Sequence, residues 1–273
     1  MLVVDDAEKK GDLTGWVTLV NQSGASYKNA ELKLVAGDVN RVQPPQAMPM
    51  GALAKSGVAR AEGFQEQGLF EYHLYSLGRP TSILQNEQKQ VNLLSAPGVG
   101  VNKKLIFYGQ QSWFRGQYGQ VLSNQKVGVY LDIQNTVQNH LGMPLPKGTL
   151  RVYKADKSGA QQFVGEDAID HTPRDEKLRI KMGDAFDVVG DRKQTEWHEL
   201  GGCLSESAWE IELRNQKEAA VEIEDYEPVG GDWTILSSSL PVQKKDSSTF
   251  TFSVKVPARG KTNVTYKVRV KWC

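Results

Sequence analysis

Glu196, His198 and Cys203 are the residues whose types could support nucleophilic chemistry. Glu196 and His198 are two positions apart in a strand-like segment, which places both side chains on one face. A catalytic thiol also needs a lowered pKa and a third group that orients the histidine. The sequence supplies neither nearby, so no catalytic residue is predicted, and a hydrolase with an unrecognised site is the third of three functional hypotheses.

The second chemistry open to Cys203 is a disulfide with Cys273, the other cysteine of the chain. No CxxC motif or metal-type spacing is present. Cys203 precedes one predicted strand and Cys273 ends another, so antiparallel neighbours could bring the two sulfur atoms together. A disulfide formed in an oxidising compartment and two unpaired thiols both stay open. The sequence favours unpaired thiols because it cannot show that the Cα atoms are close.

Two groups of acidic residues could bind a cation. They are Glu222, Glu224, Asp225 and Glu227 in one group, and Asp184, Asp187 and Asp191 in the other. Neither has the spacing of a calcium loop, and Glu222 and Glu224 alternate with apolar residues as the solvent face of a strand does. Gly98 and Gly100 lack the third glycine and helix of a dinucleotide site. We therefore predict solvated acids, no metal and no cofactor.

An aromatic segment at residues 108–118 is the candidate binding surface. Its Gly- and Gln-rich stretch contains Trp113, Phe114, Arg115 and Tyr118. Aromatic rings beside amides and arginine suit carbohydrate or protein surfaces, because they offer apolar area with a polar edge. These four residues are the predicted contacts for a ligand or partner. The alternative, which the sequence favours, is a linker whose aromatic side chains are buried at a domain junction.

The elements that must position these residues are β-strands. Apolar residues alternate with period two in four pairs of segments separated by polar turns, which is typical of antiparallel hairpins. The pairs are 13–20 with 30–35, 127–133 with 149–154, 209–213 with 221–225, and 250–256 with 262–272. A further short strand is predicted at 39–42. The fold class predicted is all-β, with tandem antiparallel immunoglobulin-like β-sandwich modules.

The chain of 273 residues is long enough for two sandwich modules. We predict the first at residues 1–110, with a mobile insertion at 43–68 that is rich in Pro, Ala, Gln and Gly. The second is predicted at 111–273, with a sub-boundary near residue 201. Residues 2–4 should pair with 13–20 as a hairpin. A domain rarely begins inside a hairpin, so the first module is expected to be incomplete at its N-terminus.

Charge and hydropathy exclude two classes of interaction. Lys and Arg number 33 and Asp and Glu 32, which gives a net charge of +1. Nucleic acid and anionic lipid are bound by clustered excess cations, so neither is an expected partner. No apolar run reaches the roughly 18 residues of a transmembrane helix, and no transmembrane segment is predicted.

Several phrases, in this order along the chain, resemble one bacterial family. They are found at residues 15–24, 30–40, 72–75 with 89–90, 144–148, 165–169, 183–187 and 266–272. The family is numbered 4139 among domains of unknown function and is akin to mucoidy-inhibitor-like proteins. The resemblance implies an exported, extracytoplasmic protein in which further β-structure, and sometimes a coiled coil, precedes this portion. It supplies no catalytic residues.

The leading functional hypothesis is a non-catalytic exported β-sandwich protein with a structural, assembly or protein-interaction role at the cell envelope or surface. Rigid modules with loops at their ends suit contacts with a protein partner or with further copies of the chain. The alternative is a module that binds carbohydrate or another envelope polymer through Trp113 and its neighbours.

Overall fold

The computed structural model describes residues 1–38, 56–58 and 64–273, and their regular structure is almost entirely β-strand. Two 3₁₀ helices are present in this part of the chain, Gln111–Arg115 and Val137–Asn139. Within the same residues no helix has the length and apolarity needed to cross a membrane. The prediction of an all-β fold is confirmed for the described residues.

The strands are numbered in chain order. They are β1 (Leu2–Val4), β2 (Lys10–Val20), β3 (Tyr27–Ala30), β4 (Lys33–Ala36), β5 (Ser56–Val58), β6 (Phe64–Leu69), β7 (Tyr72–Leu77), β8 (Thr81–Ile83), β9 (Gln88–Tyr108), β10 (Gln120–Gln134), β11 (Gly148–Ala155), β12 (Gln161–Ile169), β13 (Lys177–Gly201), β14 (Leu204–Asn215), β15 (Val221–Pro228), β16 (Asp232–Ser238), β17 (Gln243–Lys244), β18 (Thr249–Val256) and β19 (Gly260–Lys271).

The chain forms two compact units that differ from the two predicted modules. Unit 1 consists of residues 1–102 and 132–180, and unit 2 of residues 103–131 and 181–273. A division at residue 110 is therefore incorrect, because residues 132–180 return to unit 1. The physical reason is strand length, since β9, β10 and β13 each continue through a boundary and contribute residues to both units.

The predicted sub-boundary near residue 201 is a hairpin turn. β13 and β14 pair in antiparallel fashion from Val188 opposite Asn215 to Gly201 opposite Leu204. Gly201, Gly202 and Cys203 have φ values of 79°, 58° and 62°, a left-handed run that reverses the chain within the pair. Gly201 and Gly202 are therefore turn residues inside unit 2 and not a boundary between modules.

Unit 1 is organised around a sheet with the strand order β12-β11-β1-β2-β9. The short strand β1 is antiparallel to β2, with Leu2 opposite Leu13, which confirms the predicted pairing of these two segments. On its other edge β1 is parallel to β11, with Leu2 opposite Val152. β4, β7 and β6 form a second sheet, and β3 pairs with β8. Leu2, Val152 and Tyr75 are among the buried residues of this unit.

The strands of unit 2 form two groups that share one core and are here called its two sheets. The first has the order β10-β13-β14-β19-β16, and the second combines β9, β15, β18 and β17. The two are joined where β9 pairs with β10, so they are parts of one continuous 14-stranded sheet. Trp209 and Tyr266 from the first belong to the same buried cluster as Ile223 and Phe252 from the second.

The strands of the four predicted hairpins do not pair with each other in the described chain. β2 pairs with β1 and β9, whereas β4 pairs with β7; β14 pairs with β13 and β19, whereas β15 pairs with β18 and β9. In unit 2 the connections β14 to β15 and β18 to β19 each pass from one sheet to the other. The alternation of apolar residues shows which face of a strand is buried. The same alternation occurs whether the next strand in the sequence is hydrogen-bonded to it or lies in the other sheet, so the pattern does not identify the pairing partner.

The predicted insertion at 43–68 coincides only partly with described residues. Residues 43–55 and 59–63, and the predicted strand at 39–42, lie outside them. Residues 56–58 form β5, which pairs in parallel with β9, and residues 64–68 belong to β6, which pairs with β7 from Phe64 opposite Leu77. Residues 64–68 thus take part in a regular backbone ladder, and the mobility predicted for the segment stays a prediction.

Candidate functional site

Unit 1 contains an apolar cleft with a volume of about 700 Å³, hereafter the unit 1 cleft. Its walls include Leu13, Val17, Leu93, Ile133, Leu150 and Leu178. Pockets that bind ligands are mostly apolar and have volumes of roughly 300–1,000 Å³. The volume and lining of this cleft lie within that class.

The unit 1 cleft lies in line with β1. The residues at 14–18 of β2 and 148–150 of β11 line it, and these two segments lie on the two sides of the line of β1. β1 begins at Leu2, opposite Leu13 and Val152. Thr14 exchanges two backbone hydrogen bonds with Met1, and within the described chain no strand pairs with residues 15–20 of β2 on this edge. The cleft therefore has the position of a strand between two strands that flank it.

Charged and polar groups at the unit 1 cleft are few. Lys33 and Lys147 are the charged side chains among the described residues that line it, and the Lys147 ammonium lies 2.7 Å from Oδ1 of Asp38. The hydrogen bond and charge of Asp38 raise the pKa of Lys147. Lys33 also has an acidic neighbour, since its ammonium lies 4.0 Å from a Glu31 carboxylate oxygen, so both cations at the cleft are paired.

The Tyr75 hydroxyl is held for structure and not for chemistry. It donates a hydrogen bond of 2.7 Å to the carbonyl oxygen of Pro144. Burial, with a contribution from Glu66, raises the pKa of Tyr75 to about 12, so the phenol stays protonated. Among the described residues that line the cleft there is no Ser, Cys, His, Asp or Glu. The polar side chains that line the cleft are therefore Thr, Lys, Tyr and the Trp16 indole.

The predicted contact residues at 113–118 are mostly inaccessible. Trp113 is 9% exposed and Phe114 is fully buried, and both belong to the apolar core of unit 2. The Arg115 guanidinium lies over the Trp272 ring, 4.6 Å from its centroid, and Tyr118 is 44% exposed. The prediction that Trp113 and Phe114 contact a ligand is wrong, because the 3₁₀ helix turns both rings into the core. The alternative is correct in that both rings are buried, but they lie in the core of unit 2 and not at a domain junction.

Two of the predicted solvated acids, Asp225 and Glu227, are fully buried in unit 2. The Arg192 Nη2 atom donates to Asp225 Oδ1 at 2.8 Å and also to Glu227 Oε1, and Nη1 donates to the Tyr108 carbonyl oxygen at 3.0 Å. We call Arg192, Asp225 and Glu227 the buried charged cluster. Such a cluster is held in place because an unpaired charge in the core would cost several kcal/mol, on the order of 3–5.

Aromatic residues and one glycine complete the surroundings of the buried charged cluster. The Arg192 guanidinium lies 4.8 Å from the Phe107 ring centroid and 5.2 Å from that of Trp113. The Tyr266 hydroxyl donates to Glu227 Oε2 at 2.9 Å. A Cβ atom at Gly109 would lie 2.8 Å from Glu227 Oε2, so the backbone approaches the cluster too closely for any side chain there.

Burial decides the protonation of the two acids. Desolvation, and then the charge of Glu227, raises the pKa of Asp225 well above its ordinary value. Desolvation also raises the pKa of Glu227, but Arg192 and the Tyr266 hydroxyl oppose that rise. One cation balances one carboxylate, so we assign the bound proton to Asp225. With no exposed member, the cluster is part of the core and not a ligand site.

The sequence carries a signal for the buried charged cluster that the prediction of solvated acids missed. Asp225 and Glu227 continue the period-two face of Ile223, which is fully buried, so the alternation itself placed them inward. Arg192 likewise follows Val188 and Gly190 on the inner face of β13. Charged residues on a face that otherwise reads as core are expected to pair with one another.

The other acids take part in ion pairs or lie at the surface. Asp191 binds the Arg214 guanidinium at 2.6 Å, and this hydrogen bond lowers the pKa of Asp191. Asp184 lies 3.6 Å from the Lys181 ammonium, and Glu222 is exposed as predicted. In the described ranges no group of three or more His, Cys, Asp and Glu side chains is arranged to hold a metal ion.

Cys203 and Cys273 form a disulfide, with their Cα atoms 5.8 Å apart. Of the two alternatives left open by the sequence, the favoured pair of unpaired thiols is therefore wrong. The two residues meet because β14 and β19 are antiparallel neighbours, with Leu204 opposite Lys271. Glu196 binds Lys267 at 3.0 Å, and His198 is largely exposed. The three residues considered for nucleophilic chemistry thus include no thiol.

Comparisons with known proteins return no match. No family model, no curated protein and no solved structure is similar to the chain at a significant level. Function is therefore inferred from the chemistry of the unit 1 cleft and of the disulfide.

Proposed function

We propose that this protein is a non-catalytic, extracytoplasmic protein with immunoglobulin-like β-sandwich units that has an assembly or protein-interaction role at the cell envelope or surface. Its partner binds in the unit 1 cleft. The observation that carries this proposal is the cleft of about 700 Å³, which has apolar walls and an edge formed by Lys33 and Lys147.

The donor set of the unit 1 cleft supports binding over catalysis. Its polar side chains are threonines, Tyr75 and the two lysines. Tyr75 is committed to the Pro144 carbonyl and has a pKa of about 12. Acid–base catalysis near neutral pH requires a group that gains and loses a proton there. Large apolar walls instead favour the burial of apolar side chains from a partner.

The disulfide between Cys203 and Cys273 supports an extracytoplasmic location. Structural disulfides persist in oxidising compartments and are rare in the cytosol. The resemblance to an exported bacterial family points to the same location. The carbohydrate alternative is less well supported, because Trp113 and Phe114, the rings on which it depended, are core residues.

A site-specific photocrosslinker tests the proposal in cells. We expect a photoreactive amino acid at Val17, which lines the unit 1 cleft, to form a protein adduct in the envelope fraction. The matched control places the same amino acid at Lys255, an exposed residue of a strand in unit 2.

A second variant connects the adduct to the cleft itself. Gly148 lines the cleft, and a Cβ atom there would meet no other atom within 4 Å, so Gly148→Phe adds a bulky ring at the edge of the cleft. We expect this substitution to abolish the adduct at Val17. A protein adduct of equal intensity at Val17 and Lys255, or none at Val17, would refute the proposed role of the cleft.

A further inference from the structure

We infer that unit 2 binds a neutral polysaccharide, whose sugar rings stack on a row of tyrosines formed by Tyr130, Tyr108 and Tyr226. These residues are hereafter the tyrosine row, and all of them belong to unit 2. The inference goes beyond the proposed function and does not depend on the unit 1 cleft. It is carried by the arrangement of the rings, by the polar groups fixed beside them and by the balance of charge.

The rings of the tyrosine row lie on neighbouring strands. Tyr226 of β15 is directly opposite Tyr108 of β9, and β9 is also the neighbour of β10, which contains Tyr130. The Tyr108 ring centroid lies 5.1 Å from that of Tyr226 and 6.2 Å from that of Tyr130. Aromatic pairs in contact have centroids roughly 4.5–7 Å apart. The tyrosine row is therefore a continuous aromatic strip across these strands.

The tyrosine row lies on the side of its strands that faces away from the core of unit 2. Phe107, Val129 and Asp225 each immediately precede one of its members in the chain. Phe107 belongs to the apolar core, Val129 packs against it, and Asp225 belongs to the buried charged cluster. Successive side chains of a strand point to opposite faces. The tyrosines are therefore outward-facing residues.

The outer rings of the row are fixed, and the central ring is accessible. The Lys245 ammonium lies 3.8 Å from the centroid of the Tyr226 ring, and Tyr226 is 7% exposed. The half-buried Tyr130 ring lies against Gly128, where a Cβ atom would be 2.8 Å from Tyr130 Cε2. Tyr108, held between the two, is 38% exposed. A rigid ring of this kind offers contact area and loses little conformational entropy on binding.

A carboxylate and an ammonium group are fixed beside the tyrosine row. The Tyr226 hydroxyl donates to Glu224 Oε2 at 3.0 Å, and Glu224 Oε1 is paired with the Lys104 ammonium. The Glu224 and Lys104 side chains are 26% and 31% exposed, so both reach the surface. A hydroxyl group both donates and accepts hydrogen bonds. One hydroxyl of a sugar can therefore donate to Glu224 while its neighbour accepts from Lys104.

The charge beside the tyrosine row selects a neutral ligand. The ammonium groups of Lys104 and Lys245 are matched by the carboxylates of Glu222 and Glu224, which share one face of β15. With these groups balanced, a charged polymer gains no electrostatic advantage. A pyranose has an apolar face of C–H groups that covers an aromatic ring, and hydroxyls at its rim that reach polar groups beside the ring. An acyl chain has no group to place against Glu224 and Lys104.

Isothermal titration calorimetry with the full chain tests this inference. The probes are cellohexaose and N-acetylchitohexaose, which are linear and neutral. We expect at least one of them to bind wild type, and we expect Tyr108→Ala to weaken that binding at least about tenfold, because the stacked ring is lost. Tyr108→Phe keeps the ring and should change the Kd by less than about threefold. Raising NaCl from about 0.05 M to about 0.5 M should leave the Kd nearly unchanged, because salt screens only charges.

Tyr118→Ala is the matched control. It removes a tyrosine of unit 2 that is 44% exposed and lies outside the tyrosine row, so it should bind the hexasaccharide as wild type does. The melting temperature of every variant is measured. If Tyr108→Ala does not fold, Tyr108→Thr takes its place, because threonine also lacks the ring and favours strand structure.

The inference is overturned if neither hexasaccharide binds wild type, or if a folded variant without the Tyr108 ring binds as tightly as wild type. A loss of binding in Tyr118→Ala alone would place the sugar at Tyr118 and overturn it as well. An equal loss in Tyr108→Phe and Tyr108→Ala would contradict stacking, and a strong salt dependence would contradict a neutral ligand. The crosslink at Val17 is independent of these results, so the inference and the proposed function fail separately.

Discussion

A single proton distinguishes the two acids of the buried charged cluster. Arg192 can balance one carboxylate, and burial raises the pKa of Asp225 well above its ordinary value. The folded protein therefore retains a proton on Asp225 that the unfolded chain releases near pH 3.8. Below the unfolded pKa both states are protonated, and as the pH rises toward the folded pKa the folded state is progressively disfavoured.

This linkage predicts the pH dependence of Asp225→Asn. An amide stays neutral, so the variant should not show the part of the loss in unfolding free energy that wild type shows as the pH rises from about 4 toward the folded-state pKa of Asp225. Urea denaturation across that range measures the difference between the two proteins. Asp156→Asn is the control, because hydrogen bonds from Ser158 and Gln162 lower the pKa of Asp156 to about 2, outside the range. Parallel curves for wild type and Asp225→Asn would contradict the assignment of the proton.

The burial of a single residue was predictable only where it continued the period-two pattern of a strand. The alternation at Ile223 placed Asp225 and Glu227 inward, but the identity of their partner was not predictable. Arg192 comes from β13 and meets β15 only through the packing of one sheet on the other. Contacts between sheets join positions with no fixed spacing in the sequence, so period-two reasoning does not reach them.

At the scale of elements, the 3₁₀ helix Gln111–Arg115 contributes two buried side chains, Trp113 and Phe114, to the core of unit 2. Phe114 is fully buried, and its ring lies 5.3 Å from that of Trp209. We predict that Phe114→Ala lowers the free energy of unfolding by about 3–5 kcal/mol, since the cavity it leaves lies in a well-packed core. Chemical denaturation measures the change.

Tyr118→Ala is the matched control for Phe114→Ala. Tyr118 is 44% exposed, so its truncation should change the free energy of unfolding by less than about 0.5 kcal/mol. If Phe114→Ala left the stability unchanged but reduced retention on envelope glycans, Phe114 would be a glycan contact and the carbohydrate alternative would be supported. The opposite result would establish the helix as core.

The elements themselves were largely predictable, and their pairings were not. Alternation identified most of the strands because a half-buried strand imposes period two on its own side chains. In β13 the glycines at 183 and 190 resemble turn residues, yet the strand continues through both of them. In the structure Gly190 is a position of close packing, where a Cβ atom would lie 2.7 Å from the Phe107 ring. Glycine in a strand thus marked a close approach and not a break.

At the scale of the whole chain, the disulfide closes a long loop in unit 2. Cys203 and Cys273 are separated by 70 residues. The loss of chain entropy in the unfolded state corresponds to a stabilisation of about 4 kcal/mol for a loop of this size. We predict that Cys203→Ser with Cys273→Ser lowers the melting temperature and that dithiothreitol has the same effect on wild type.

Thermal denaturation with and without reductant checks this prediction. The double variant is its own control, because the reductant should not change its melting temperature. Equal melting temperatures for oxidised and fully reduced wild type would contradict a stabilising role for the disulfide. They would also remove one of the two supports for an extracytoplasmic location.

The unit 1 cleft could not have been predicted from the sequence. It depends on β2 and β11, which are more than 100 residues apart in the chain and become the two flanks of β1 only in the folded sheet. The apolar residues that line the cleft come from several separate segments, and in each segment the sequence pattern is the same as for ordinary core residues. Nothing in their local spacing shows that the space between them is unfilled.

The division of β9, β10 and β13 between the two units has a consequence for synthesis at the ribosome. Unit 1 needs residues 132–180, so it cannot complete its fold until the chain has been translated well past residue 102. During that interval the strands of residues 1–102 lack their pairing partners from residues 132–180. Apolar residues such as Leu93, which is buried in the folded protein, then stay exposed to solvent. Proteins usually fold domain by domain as they emerge, but in this chain the order of translation and the order of folding are interleaved.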